Sequence, residues 1–277
     1  MKGCLRILFG LLAVSALSGP PAAWAAEDSA AVLNPPPTAK DWEALGKLPD
    51  FSGVWLPDAH DQIRQMKSNP PPWNDKEGAI VKFQAEEQAA GRPINFFSNC
   101  LPEGMPSWML ISHNAMEFAF TPGRIYMLGE SDSNRLRRIY TDGRPHPDDP
   151  DPTFHGHSIG HWEGETLVID TIGVLPQTFL AIAEAQGVPN NGDMHIVERF
   201  RIAGPDALED TLTITAPHVL TKPWVTTRKY TRTRRRDYDI EEGVCLEAAF
   251  DAAVDKDGNA VFVPTPLRPD GIRVPIK

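Results

Sequence analysis

From about residue 115 onward the chain is a succession of short alternating segments, each closed by Pro, Gly or Asp. Glu117 to Phe120 puts Phe118 and Phe120 on one face, and Pro122-Gly123 turns the chain. Arg124 to Glu130, Arg135 to Tyr140, a strand pair turning at Glu163-Gly164, Met194 to Ile202, Asp210 to Thr215 and Trp224 to Arg232 continue the series. A period of two over short runs, with turn residues between them and no long helical pattern, predicts an all-β antiparallel meander. About eight such strands close into a barrel whose cup holds one small ligand. Residues 173 to 193 break the alternation, and Phe179, Leu180 and Ile182 there read as a lid over one end of the barrel.

The N-terminal quarter has a different grammar. Lys2 and Arg6, the apolar run Ile7 to Leu17, the break at Gly19-Pro20-Pro21 and the small residues of Ala23-Trp24-Ala25 make residues 1–25 a secretory signal peptide. Residues 26–49 form a flexible lead-in with Pro35-Pro36-Pro37, in which Trp42, Leu45 and Leu48 stand at helical spacing. The barrel domain is expected over 50–247, starting with a strand at Asp50 to Trp55, and residues 248–277 form a tail. Asp75 to Ala90 carries an apolar set at Ala79, Ile80, Phe83 and Ala90, which predicts an exposed amphipathic helix stopped by Gly91 and Pro93. The product is expected to be periplasmic or secreted, with no stable membrane insertion after signal removal.

The formal net charge is -10. Loss of Lys2 and Arg6 with the signal makes the exported chain more acidic still, which excludes nucleic acid as a partner. The dense basic run Arg232 to Arg236 is followed at once by Asp237, Asp239, Glu241 and Glu242, so it reads as a solvated strand end. Cys4 leaves with the signal. Cys100 and Cys245 remain in an oxidising compartment, where a disulfide between them is expected.

Chemistry concentrates between Arg138 and Thr171, where four of the eight histidines fall: His146, His155, His157 and His161. A histidine titrates near neutrality and serves as acid, base or metal ligand. His146 and His157 are eleven residues apart across a loop stiffened by four prolines, and with Asp142 they suit an acid–base pair. The His155-x-His157 spacing alone is a weak ligand pair, and His155 is left outside the expected site. No zinc-finger or HExxH spacing occurs, so neither metal nor cofactor is expected. Alternation from Met194 to Ile202 aims Glu198 at the apolar face, with His195, Val197, Arg199 and Arg201 on the other. Two readings stand for Glu198: a pocket acid of raised pKa, or half of a structural salt bridge with Arg138. Trp162 reads as a packing residue of the barrel floor, and Asp170 as a strand-end residue bonding neighbouring backbone.

The runs YTDGRPHP, GHSIGHWEGETLVIDT and HIVERF (His195 to Phe200), with CLPEGMP at Cys100 to Pro106 and the late Cys245, resemble a family of exported bacterial proteins. The likeness covers roughly residues 50 to 247. It implies a lipocalin-like antiparallel barrel and little about reaction. His146 and His157 sit inside the recurring motif; His155 and His161 look like variable positions of it. The family's acidic, Asn-rich end is replaced here by Leu246 to Phe250.

Two functions follow as expectations. One is a cofactor-independent acid–base enzyme acting on a small apolar molecule, aromatic or terpenoid-like, held in the barrel. His157 or His146 would exchange the proton, Glu198 and Asp142 would assist, and Arg138, Tyr140, Trp162 and Trp224 would shape the pocket. The other is a periplasmic carrier that binds such a molecule unchanged. The surplus of titratable groups in one loop favours the enzyme.

Overall fold

In a computed structural model the described residues are 34–94, 96–97, 101–111, 115–130, 135–242, 250–254 and 260–264. The chain divides into two compact units, Met1–Pro36 and Pro37–Lys277, and the barrel belongs to the second. The segment expected to be a signal peptide, and Cys100 and Cys245 of the expected disulfide, lie outside the described residues.

Among the described residues four helices and thirteen strands follow in chain order. They are α1 (Ala39–Leu45), β1 (Val54–Pro57), α2 (Ala59–Ser68), α3 (Asp75–Ala89), α4 (Ser107–Leu110), β2 (Met116–Thr121), β3 (Arg124–Gly129) and β4 (Leu136–Tyr140). After them come β5 (His157–Glu163), β6 (Thr166–Ile172), β7 (Phe179–Ala183), β8 (Gln186–Pro189), β9 (His195–Gly204), β10 (Ala207–Thr215), β11 (Trp224–Thr233), β12 (Phe250–Val254) and β13 (Ala260–Pro264). Nine strands close a barrel in the order β1-β11-β10-β9-β6-β5-β4-β3-β2, while β7-β8 and β12-β13 form separate two-stranded sheets.

The molecule is therefore mostly β, as the alternation predicts, but the barrel has nine strands and is mixed. β4 and β5 run parallel, paired in register at Ile139↔Ser158 and Tyr140↔Ile159. A parallel pair needs a crossover of a dozen or more residues, and the proline-stiffened run 141–156 supplies it. That crossover is pinned at its far end, where Thr153 N–H donates to Gly173 O (3.0 Å) and Leu175 N–H donates to Thr153 O (2.8 Å).

Residues 173–193 hold the β7–β8 hairpin instead of an irregular lid. Leu180 and Ile182 are buried in its packing face, and α4 is tied to it, since Ser107 Oγ donates to Phe179 O (2.6 Å) and accepts from Ala181 N–H (3.0 Å). Helix α3 forms where expected, yet its apolar set faces outward. Ile80 and Phe83 are exposed, and Glu77, Val81 and Gln84 are buried. Gln84 docks the helix, donating to Gly187 O and accepting from Gly187 N–H, both at 3.0 Å. The basic run also differs from a fully solvated end: Arg232 is buried, stacks on Trp55 and pairs with Asp50 at 2.6 Å.

Side chains fill the barrel. Trp55, Met116, Met127, Ile139, Leu167, Ile169 and Phe200 are each almost wholly buried. At the end where β5 finishes, Phe51 packs on Phe118, Phe120 and Trp162, with centroids 5.3 to 5.8 Å apart. At the end where β5 begins, all four residues of α4 are buried. Tyr230 Oη and Arg228 Nε donate to the carbonyls of Met109 and Leu110, both at 3.4 Å. Trp108 is pressed against Gly129, where a Cβ would stand 2.4 Å from the indole, so only glycine fits there.

Candidate functional site

The site follows from strand parity. On β5, Ser158 faces the interior, while His157, Ile159 and His161 face outward; on β6, Thr171 is interior and Asp170 is exterior. On β9, Glu198 is interior and His195 is exterior. Parity therefore separates two polar groupings by the thickness of the barrel wall.

The inner one is a buried ion pair. Arg137 Nη1 donates to Glu198 Oε1 at 2.9 Å, and Nη2 also donates to Glu198 Oε2. Nη2 further donates to Thr171 Oγ1 (2.9 Å) and Ser158 Oγ (3.2 Å). Both partners are fully buried. Glu198 is thus half of a structural salt bridge, and its partner is Arg137; Arg138 stands on the outer face. Parity also corrects the pairing of Glu198 with His146 and His157, because the sheet lies between them. Nearby, Asp210 is fully buried, and its carboxyl is held well above the usual range, by burial first and by the charge of Glu198 second.

The outer grouping is a chain of hydrogen bonds. His157 Nδ1 meets His146 Nδ1 at 2.8 Å, His146 Nε2 meets Asp170 Oδ1 at 3.0 Å, and His195 Nε2 meets the same Oδ1 at 2.9 Å. A carboxylate only accepts, so both Nε2 atoms donate to Asp170. In the neutral form of His146 its Nδ1 is then bare and accepts from His157 Nδ1–H. That leaves His157 Nε2 unprotonated and lone-pair bearing, with no bonding partner among the described residues. Burial, and next the nearness of His146 and Arg144, lowers the His157 pKa and keeps it neutral.

Tyr140 holds the ring in place, stacked on His157 at 5.2 Å with 21° between planes. Arg144 covers Tyr140 at 4.3 Å. Asp142 is taken up by Arg144, whose Nε donates to Oδ1 at 2.9 Å. So Asp142 does not orient a histidine; Asp170 has that role, with its Cβ on the same outer face.

Where β4 and β5 splay apart, the wall opens into a cleft of about 470 Å³. His157, Tyr140, Arg138, Leu136, Pro147 and Pro150 line it outside, and Arg137 and Ser158 line it toward the interior. His155 lines it as well and packs on Trp108 at 5.3 Å. Neither ring nitrogen of His155 has a hydrogen-bond partner among the described residues. Burial first, then Arg137 and Arg135, push its pKa down to about 4. His155 thus belongs to the site outside which it was expected to lie. Gly156 between the two histidines has φ +67°, and a Cβ there would stand 2.6 Å from Ile172 O. Gly104 is as constrained: a Cβ would stand 2.4 Å from Phe154 O, the carbonyl that accepts from Met105 N–H at 2.8 Å. The GMP run thereby props the loop that carries His155.

Two expected lining residues stand elsewhere. Trp162 packs in the aromatic cluster at the far end. Trp224 is buried and donates from Nε1 to Asn69 O at 3.2 Å. Among the described residues no group of three His, Cys, Asp or Glu side chains is arranged to hold a metal ion.

No family model matches the chain, and no curated protein matches it. Among solved structures, it is similar to zebrafish ileal bile acid-binding protein complexed with cholic acid. The identity is 11% and the TM-score 0.32, over 66% of this chain and 98% of that one. An overlap that small carries no argument about function.

Proposed function

We propose that this protein binds a small molecule in the cleft between β4 and β5, and that His157 Nε2 takes a proton from it as general base. The observation that carries this reading is the Asp170–His146–His157 chain, which with a neutral His146 sets the tautomer of both rings and leaves His157 with a bare nitrogen beside a cleft. A proton arriving at Nε2 is compensated by passage of the Nδ1 proton to His146, whose positive charge then faces Asp170. A neutral imidazole with a lowered pKa is the form that accepts a proton near neutral pH. Since Arg137 and Ser158 line both the cleft and the barrel core, a ligand entering here reaches the interior side chains.

The second reading is a carrier. Leu136, Pro147 and Pro150 offer an apolar wall and a few polar groups anchor the ligand, which suffices for binding without turnover. We also place the protein outside the cytoplasm, in the lipocalin-like exported family that its motifs resemble. The family likeness is supported by the motif residues Tyr140, Asp142, Arg144, His146, His157, Asp170 and His195, which form one connected grouping, and the export by the N-terminal sequence pattern alone.

The test is deuterium uptake by a panel of small ketones and phenols in D2O, followed by NMR with the mature protein. The base reading expects protein-dependent exchange that drops about 100-fold or more in His157→Ala while binding persists. Binding without any exchange establishes the carrier and removes the base.

A further inference from the structure

The parallel register of β4 and β5, carried one step beyond Ile139↔Ser158, sets Arg138 beside His157 on the outer face. Both line the same cleft. Resting on the base reading above, we propose that Arg138 is the anion-binding partner of His157, and that the ligand is a neutral enolisable ketone or phenol whose conjugate base is a delocalised oxyanion.

Arg138 is exposed, and no carboxylate of the described residues forms an ion pair with it. Of the nearby guanidinium groups, Arg137 pairs with Glu198, Arg144 pairs with Asp142, Arg124 lies over Tyr140 at 5.3 Å, and Arg135 is not among the residues lining the cleft. The lining holds one carboxylate, Asp151. It opposes an anion there, so its removal is informative.

Proton abstraction fits this pair. The ligand C–H or O–H bond breaks, its proton goes to His157 Nε2, and the electron pair stays on the ligand as an oxyanion facing the Arg138 guanidinium. His157 Nε2–H returns the proton to the same atom or to the other end of the delocalised system, so the balance needs no oxidant, metal or co-reactant. The guanidinium fork donates two parallel N–H groups, which suits one oxygen with spread charge better than an ammonium does. Tyr140, Leu136 and the prolines take the apolar body.

The probe is p-nitrophenolate at alkaline pH, supplied as the anion so that His157 plays no part in its binding, with 4-nitroanisole as its uncharged analogue. The wild-type protein should bind the phenolate at least about tenfold more tightly than the anisole. Arg138→Gln should lose that preference, Arg138→Lys should restore part of it, and Asp151→Asn should tighten binding. Unchanged melting of Arg138→Gln, an outer-face substitution, separates this loss from unfolding. Equal binding of phenolate and anisole, or wild-type phenolate binding by Arg138→Gln, overturns the proposal. The His157→Ala exchange measurement reads the base separately, so the two assignments fail independently.

Discussion

The Nδ1 atoms of His146 and His157 stand 2.8 Å apart, with Asp170 3.0 Å behind His146. One of those two nitrogens carries the hydrogen, and Asp170 decides which. Replacing the carboxylate by an amide removes that decision, since Asn offers a donor and an acceptor to each ring. Asp170→Asn should therefore lower the exchange rate by about 100-fold or more, with the fold intact. The deuterium-uptake assay checks it, and an unchanged rate would detach Asp170 from the relay.

Arg137 and Glu198 test the opposite role. Each is almost fully buried and their carboxylate–guanidinium contact is bidentate. Removing one partner leaves an uncompensated buried charge, so Glu198→Leu should cost roughly 3–5 kcal/mol in urea unfolding. The double substitution Arg137→Met, Glu198→Leu should recover much of that loss. Additive losses in the double-mutant cycle would contradict a coupled pair.

His155 should contribute to the loss of stability in acid. Its pKa is about 4 in the folded protein against an ordinary 6.5. Between those values the unfolded chain binds a proton here that the folded chain refuses. Stability is thus undiminished above pH 6.5 and falls as pH drops toward 4, by at most on the order of 3 kcal/mol from this group. His155→Phe should flatten that part of the urea-midpoint profile against pH. A profile as steep as wild type would place the acid sensitivity elsewhere.

Gly104 holds the cleft loop from behind. Its φ is +64° and a Cβ would meet Phe154 O at 2.4 Å. Gly104→Ala must displace backbone and not a pliable side chain, which predicts a loss of more than about 1 kcal/mol and weakened phenolate binding. Calorimetric melting and the phenolate titration check the two effects, and wild-type values in both would show the loop to be free of this prop.

Much of the wall was legible because its signal is periodic. Alternation from Met194 to Ile202 assigns Glu198 inward and His195 outward, as observed. The same rule misassigned β4. Leu136 and Tyr140 make its 136-138-140 face look like the core face, whereas Leu136 is exposed and Arg137 points inward to an ion partner on a strand far along the chain. Parity is visible in a sequence, but which parity is buried is not when the inner residue is charged. Helix α2 escaped for a related reason: it docks by polar side chains, with Gln62 donating to Ile182 O and Gln65 accepting from Thr226 Oγ1, and so carries no apolar stripe. Their density marks the loop histidines in the sequence, whereas their partner Asp170 looks there like a strand-end residue. A signal was there: Asp170 and His195 both face outward on strands that pair, Asp170 opposite Val197.

Ring-nitrogen NMR of histidine at neutral pH tests the central claim most directly, because it needs no substrate. The account predicts that His157 is neutral with hydrogen on Nδ1 and none on Nε2, while His146 and His195 carry hydrogen on Nε2. In Asp170→Asn the preference at His146 and His157 should be lost. A His157 protonated on Nε2 in the wild-type protein, or charged at neutral pH, would contradict its role as a base.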